Sequence, residues 1–450
     1  MSDVETTRRV LWLTRLLGAG GLALMAVTWK LWTPQDVFPR VPLFWWAPPH
    51  WLDWTALAVT VFGLVALIVL SDRRERFVAA AMTACGFALL FLSDQHRLQP
   101  WAWQFFILSI VLALADDRTV FHGWRWLVVS IYFWSAWSKF DMAFAELVSE
   151  HFAWRMFDLR TFYAWTTDAW TSRDWIALWI SSTSPGPEVV KFLAFGLPLG
   201  ELATAMALCR SGTRRYGLWC SLLMHALLLA ALGPFGLNHK PGVLLWNMYF
   251  ITQNLVLFQF LDQQASAVSW SWTTSGLWSR LAAGCLAFVM IWPASVPWGG
   301  CDPWLGWAVY VPPSEEARMV ILRSEAARLP RSVDEHLSYS WCGNNPRVTI
   351  TESRWSLDAL GVPVYPHPRF QIGVYLDFYE RYSLRDGLSE DEFGWPRFFV
   401  DLQRRSGRFW PSYQSESIET YDGLVQAARR YRFNAFPESY YRKREALRGP

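Results

Sequence analysis

The stretch Tyr132-Phe133-Trp134-Ser135-Ala136-Trp137-Ser138-Lys139-Phe140-Asp141 puts a lysine and an aspartate at the end of an apolar run that begins near Trp124. At helical spacing Tyr132, Ser135 and Lys139 share one face. An ammonium where a helix leaves hydrocarbon must reach water, find a partner or lose its proton, and in the last state it is an amine base. The plainer reading of the same lysine is an interfacial anchor.

Other polar residues widen the set. Asp94 and His96 lie on a turn; a histidine there is ordinarily solvated or capping, but with Asp94 beside it, on the same side as Lys139, it is expected to position a base or a polar headgroup. Glu201, in Gly200-Glu201-Leu202, sits inside an apolar run, where a carboxylate must be neutral, paired or turned to a hydrated cavity. His225 and the pair Asn247 and Asn254 are expected to make interhelical hydrogen bonds and to line the same interior. Asn238-His239-Lys240 forms an outward polar turn suited to an anion. No HExxH occurs and the histidines are scattered, so no metal site is expected. There is no Walker A loop, no GxGxxG in a βαβ setting and no GxSxG elbow, which removes nucleotide and serine-hydrolase chemistry.

The elements that must hold these residues are membrane spans. Of 450 residues 53% are hydrophobic, with 31 Trp and 30 Phe, and the apolar residues come in blocks long enough to cross a bilayer. The tryptophans suit aromatic belts at the two interfaces. A formal charge of +3 gives no nucleic-acid partner. At roughly 20 residues per crossing, about nine spans are expected, near 10–30, 51–71, 76–93, 100–116, 124–139, 189–209, 216–236, 242–262 and 278–297. The first follows Arg8 and Arg9, lacks a small-residue cleavage site and reads as a retained anchor. Arg8 and Arg9, then Arg73, Arg74 and Arg76, then Arg118 and Arg125, then Arg210, Arg214 and Arg215 fall in alternate loops, which makes that side cytoplasmic. Asp94, His96, Lys139, His239 and Lys240 then share the other side. The segment 141–188, too long for a simple connection and too broken to cross, is expected to lie on the outer interface as a lid or a surface hairpin.

Beyond about Trp298 charges become frequent and Pro and Gly punctuate short segments. The fold class expected is an α-helical polytopic membrane bundle, 1–297, followed by a small α+β extracytoplasmic domain, 298–450. Within it 345–352 alternates like a strand, while 368–383 and 414–432 look helical. None of the six cysteines forms a CxxC pair, which argues against a thiol relay; Cys301 and Cys342 are disulfide candidates if the domain is extracytoplasmic.

The pattern Tyr132-Phe133-x-x-Ala136-x-x-Lys139-Phe140-Asp141, after an outward turn with His96 and before an amphipathic segment with Phe152 and Trp154, resembles the membrane domain of vitamin K-dependent gamma-carboxylases and their bacterial relatives, the HTTM group. Met224-His225, the leucine-rich run after it and the Gly233-Pro234-Phe235-Gly236 break are similar to the later helices of that family. The resemblance covers roughly residues 10–265. It implies a vitamin K-type, menaquinone-like quinol as cofactor, Lys139 as the base that deprotonates it and His96 as the assisting histidine. The animal enzymes carry two adjacent lysines where this chain has Ser138-Lys139, and the region after the spans is shorter than their lumenal portion.

Two readings stay open. One is a carboxylase-like enzyme of a bacterial inner membrane, N-terminus cytoplasmic and C-terminal domain periplasmic. It would act on an extracytoplasmic peptide or protein through a lipid-soluble quinone, with Asp94, Tyr132, Glu201, His225, Asn247 and His239 as binding residues. The other, suggested by a hydrophobic pattern similar to DoxX and MauE type proteins, is a non-catalytic subunit that anchors or assists a periplasmic redox partner.

Overall fold

The computed structural model describes residues 3–148, 187–234, 236–259, 276–326, 329, 333, 335–342, 345–382 and 398–448. A helix forms at each of the nine stretches expected to span. These are α1 (Asp3–Val27), α2 (His50–Val69), α3 (Arg73–Ser93), α4 (Pro100–Leu114), α5 (Asp117–Lys139), α6 (Gly196–Cys209), α7 (Arg214–Leu232), α8 (Pro241–Phe258) and α9 (Leu277–Ile291). Among the described residues six, α1, α2, α3, α6, α7 and α9, are long and apolar enough to cross a membrane once their flanking turns are counted. The other three fall short for physical reasons. α4 is apolar but only 15 residues long. α5 carries Asp117, Arg118, His122, Arg125 and Lys139, and α8 carries Asn247, Gln253 and Asn254, all three buried. Among the described residues six of the nine expected helices therefore have the length and composition of a membrane span, with three more polar or shorter ones packed among them. Phe62, Met206, Leu223 and Phe288 point outward and are more than half exposed, as a surface facing lipid rather than water would be.

Local chemistry sets where the helices begin. Asp72 caps α3, its carboxylate accepting from the backbone N–H of Arg74 at 2.8 Å. Asp116 caps α5 through Thr119 N–H at 3.0 Å and also accepts from Ser279 Oγ at 2.8 Å, tying α5 to the start of α9. Prolines 100 and 241 occupy the first turns of α4 and α8, where no N–H is needed. α2 and α3 pack most closely through reciprocal glycines: a Cβ on Gly63 would lie 2.8 Å from Thr83 N, and one on Gly86 would lie 2.8 Å from Thr60 N. Polar side chains bind the interior helices. Gln253 Oε1 accepts from Trp124 Nε1 at 3.1 Å and from Gln104 Nε2 at 3.3 Å, while Gln104 Oε1 accepts from Trp246 Nε1 at 3.0 Å.

The C-terminal region builds one antiparallel sheet of five strands in the order β2-β3-β1-β4-β5, with β1 Glu315–Leu322, β2 Leu337–Cys342, β3 Asn345–Ile350, β4 Phe398–Ser406 and β5 Ser412–Ile418. Its central register pairs Val320 with Thr349 and Met319 with Val400. Helix α11 (Pro368–Arg381) packs on it after α10 (Glu352–Ala359): Tyr375 OH donates to Ala317 O at 3.0 Å and the Tyr379 ring meets Phe398 edge-on at 4.5 Å. The strand at 345–352 and the helix at 368–383 appear where expected. The stretch 414–432 divides, because its first half alternates as edge strand β5 against β4, and only Tyr421–Arg429 is helical (α12), capped by Thr420 on Gly423 N–H at 3.0 Å.

Bundle and sheet meet through the strap 33–49. Asp53, wholly buried, accepts from Arg40, from Arg97 Nη1 at 2.5 Å and from Ser93 Oγ at 2.8 Å. Arg40 also pairs with Glu438, the first residue of α13 (Glu438–Arg448). Gln95 donates to Asn434 O at 2.6 Å and accepts from Arg369 Nε at 2.6 Å, and Arg369 in turn holds Asp302, Nη1 to Oδ1 at 2.9 Å. Lys240 reaches Asp358 at 3.2 Å and Arg405 reaches Asp141 at 2.5 Å. One end of the bundle is thus covered by the sheet domain, and it is the end that carries His96, Lys139 and Lys240. The expected lid over 141–188 lies mostly outside the described residues; only a short helix, Met142–Val148, is described at its start and another, Pro187–Ala194, at its end.

Candidate functional site

The last two turns of α5 carry Tyr132, Ser135 and Lys139 on one face, as their spacing requires, and all three line a cavity. It encloses about 820 Å³, part of it open to the outside, and its other walls are supplied by Glu201 of α6, His225 of α7, Asn247 of α8 and Trp307, Val309 and Tyr310 of the sheet domain. Most of the lining is apolar, including Met224, Leu228 and Phe250.

Two polar groups stand in that wall. Lys139 Nζ donates to Glu201 Oε1 at 2.6 Å and to Ser135 Oγ at 2.6 Å, with the lysine side chain 4% exposed and the glutamate 7%. Among the described residues Glu201 Oε2 is buried without a hydrogen-bond partner, so it is the atom of the pair with lone pairs to spare. The second group is a chain whose proton directions follow from its ends. Asn247 Nδ2 donates to Val243 O at 2.8 Å, so Asn247 Oδ1 is the acceptor for His225 Nδ1 at 2.8 Å. That bond assigns the imidazole proton to Nδ1 and leaves Nε2 to accept from Tyr132 OH at 2.6 Å. Asn254 Nδ2 then donates to the phenol oxygen at 2.7 Å. Tyr132 and His225 are poised as a donor and acceptor beside the Lys139 pair.

Trp307, Val309 and Tyr310 close the cavity from the sheet side. Trp307 and Tyr310 both have φ of 63°, a left-handed backbone that bulky residues rarely adopt. Tight turns hold it: Gly306 N–H donates to Asp302 O at 3.0 Å and Ala308 N–H to Pro303 O at 2.8 Å.

The structure brings Lys139, Tyr132, Glu201, His225 and Asn247 together and leaves three expected residues elsewhere. His96 does not line the cavity that holds Lys139. It is buried between the rings of Phe38 and Phe370, at centroid distances of 5.2 and 5.0 Å, with Nε2 3.0 Å from Pro363 O and 3.2 Å from Ser356 Oγ. Asp94 accepts from His96 N–H at 3.1 Å and Val41 N–H at 3.4 Å, which makes it a turn cap. His239 follows α7, its N–H donating to Leu232 O at 2.9 Å, and does not line the cavity. Sharing one end of the bundle is what the sequence pattern carried; lateral position within that end depends on helix neighbours. Cys301 is a free, buried thiol whose Sγ contacts Asp302 O at 3.4 Å, so it is not in a disulfide; the Cys342 side chain lies outside the described residues. Among the described residues no cluster of three His, Cys, Asp or Glu is arranged to hold a metal.

His96 has a consequence for stability. Burial, helped by the nearby Arg97 charge, lowers its pKa from the ordinary 6.5 to about 4. The unfolded chain takes that proton below about 6.5 and the fold does not until about 4, so the fold loses stability as pH falls across this window, by about 3 kcal/mol in all. Asp94, which burial raises to about 6, works in the opposite sense. The expected outcome for His96→Gln is a shallower fall of the thermal unfolding midpoint between pH 6.5 and 4 than in the parent chain; an identical slope would refute the assignment.

Comparison with known proteins gives no match: no family model, no curated protein and no solved structure resembles the chain significantly.

Proposed function

We propose that this chain is an integral membrane enzyme of the carboxylase-like kind, working on a quinol-type lipid in the cavity between α5, α6, α7 and α8. The observation that carries the reading is the Lys139–Glu201 pair: a buried carboxylate with one free oxygen, held by an ammonium, in an otherwise apolar cavity. Such a cavity suits a ring with polar oxygens on an apolar tail. A hydroquinone, when bound, supplies two acidic hydroxyl groups and a pair of electrons.

The chain's own groups divide the work differently from the pattern in the sequence. Lys139 Nζ already donates to two oxygens, so its part is to hold Glu201 and to stabilise an oxyanion. Glu201 Oε2 is the acceptor for a hydroxyl proton. Tyr132 orients a second oxygen, and His225 Nε2 can take the phenol proton while Asn247 fixes its tautomer. The turns 70–76, 115–118 and 210–215, which carry Arg73, Arg74, Arg76, Arg118, Arg210, Arg214 and Arg215, lie at the opposite end of the bundle, and this supports a reading with the Lys139 end and the sheet domain on the outer face of a bacterial inner membrane. The substrate is then an extracytoplasmic peptide or protein.

The test is mass spectrometry of small molecules that co-purify with the parent chain and with Lys139→Ala. A quinone enriched with the parent and depleted at least tenfold in the variant is expected. No quinone with either would overturn the proposal. A non-catalytic subunit is favoured by one feature, the exposed Phe409, Trp410 and Tyr413 around the β4–β5 turn, which offer a docking surface for a partner. On that reading Lys139→Ala keeps its function and a second protein co-purifies.

A further inference from the structure

We propose that the end of the bundle opposite Lys139 holds a site for the phosphate headgroup of an anionic membrane lipid, built on Arg125 and Arg214. Arg125, expected in a loop, lies inside α5 and is only 6% exposed. Its guanidinium meets two aromatic faces, Phe121 at 5.8 Å and Phe258 at 5.3 Å, and has no hydrogen-bond acceptor or carboxylate among the described residues. Arg214, 5% exposed at the start of α7, donates Nε to Leu208 O at 3.2 Å and likewise has no carboxylate there. Both line, with His122, a cavity of about 270 Å³. Nearby Arg9, 4% exposed, already engages Glu5 at 2.7 Å, so that carboxylate is taken.

Two buried guanidinium groups without a counter-charge are a costly arrangement, and ring faces offset only part of it. An anion on the cavity side removes the imbalance. Guanidinium forks match phosphate oxygens. The location selects a lipid phosphate over a soluble one: the site sits among the arginine-rich helix ends, the level of headgroups, and its remaining walls, Trp126, Val129, Leu208 and Phe258, are apolar surfaces on which a glycerol backbone and acyl chain can lie. The site is independent of the chemistry at Lys139.

The experiment measures thermal unfolding of the full chain in lipid-free mild detergent while phosphatidylglycerol, phosphatidylcholine or inorganic phosphate is titrated in. The parent chain is expected to show a saturable rise with phosphatidylglycerol alone. Arg125→Met, which removes the unpaired charge and keeps the bulk, is expected to unfold without lipid no lower than the parent and to bind phosphatidylglycerol at least tenfold more weakly. If that variant does not fold, Arg125→Lys, which keeps the charge and loses the fork, gives the same readout with a weakening of several-fold. An unchanged phosphatidylglycerol response in the variant that folds overturns the proposal. So does a full shift with inorganic phosphate, which would mark a soluble anion, or an equal one with phosphatidylcholine.

Discussion

Glu201→Ala is expected to destabilise the chain by about 3–5 kcal/mol, because it strands Lys139. The lysine side chain is 4% exposed and, with Glu201 gone, keeps only Ser135 Oγ as acceptor. The uncharged double replacement Lys139→Met with Glu201→Leu should recover most of that loss, since a buried pair replaced by apolar residues of similar volume is often neutral for stability. The two variants therefore separate fold from chemistry: the double variant is expected to fold and, on the function proposed above, to bind no quinol. Thermal unfolding in mild detergent reads the first part and co-purified small molecules the second. A Glu201→Ala chain as stable as its parent, or a double variant no better than the single, would show that the pair is not buried as an ion pair.

Asp53→Asn should be the most damaging change outside the cavity, again by about 3–5 kcal/mol. Asp53 is wholly buried and serves Arg40, Arg97 and Ser93. Among the described residues it is the sole carboxylate paired with Arg97. Asparagine fits the space but leaves a charge-neutral group facing two guanidiniums. Glu438→Gln provides the control, because there Arg40 retains Asp53. The expected order is therefore a large loss for Asp53→Asn and a smaller one for Glu438→Gln, with faster proteolysis of the strap 33–49 in the first. Equal losses in the two variants would mean that Arg97 does not depend on Asp53.

The candidate site was legible in the sequence where a polar residue interrupts an apolar helix. Tyr132, Ser135 and Lys139 share a face by spacing alone, and Glu201, His225 and Asn247 have to turn inward because the outer surface is apolar. Residues whose position depends on neighbours across the bundle were not legible. His96 stands at the right end yet packs against Phe38 and Phe370, since nothing local specifies which helices flank the 94–99 turn. Trp307 and Tyr310 were invisible because no residue type there announces a left-handed backbone; tryptophan and tyrosine are poor candidates for one. Arg125 has the charge of a loop residue, while the fold buries it in α5 between two rings. The same bias toward local pattern merged strand β5 with helix α12, where only the pairing with β4 distinguishes them.

The link between Arg40 and Glu438 bears on how the protein is made. Arg40 and Asp53 leave the ribosome with the first helices, whereas Glu438 follows the entire sheet domain. Helix insertion and completion of this ion cluster are therefore separate events in time, divided by the synthesis of nearly the whole chain. In the interval the strap 33–49 lacks Asn434, Glu438 and Arg369, which later fix it and its neighbour Gln95. A nascent chain arrested between α9 and β1 would be a membrane-inserted intermediate with its polar end uncovered, and quality-control proteases that sample that side would meet it in this form.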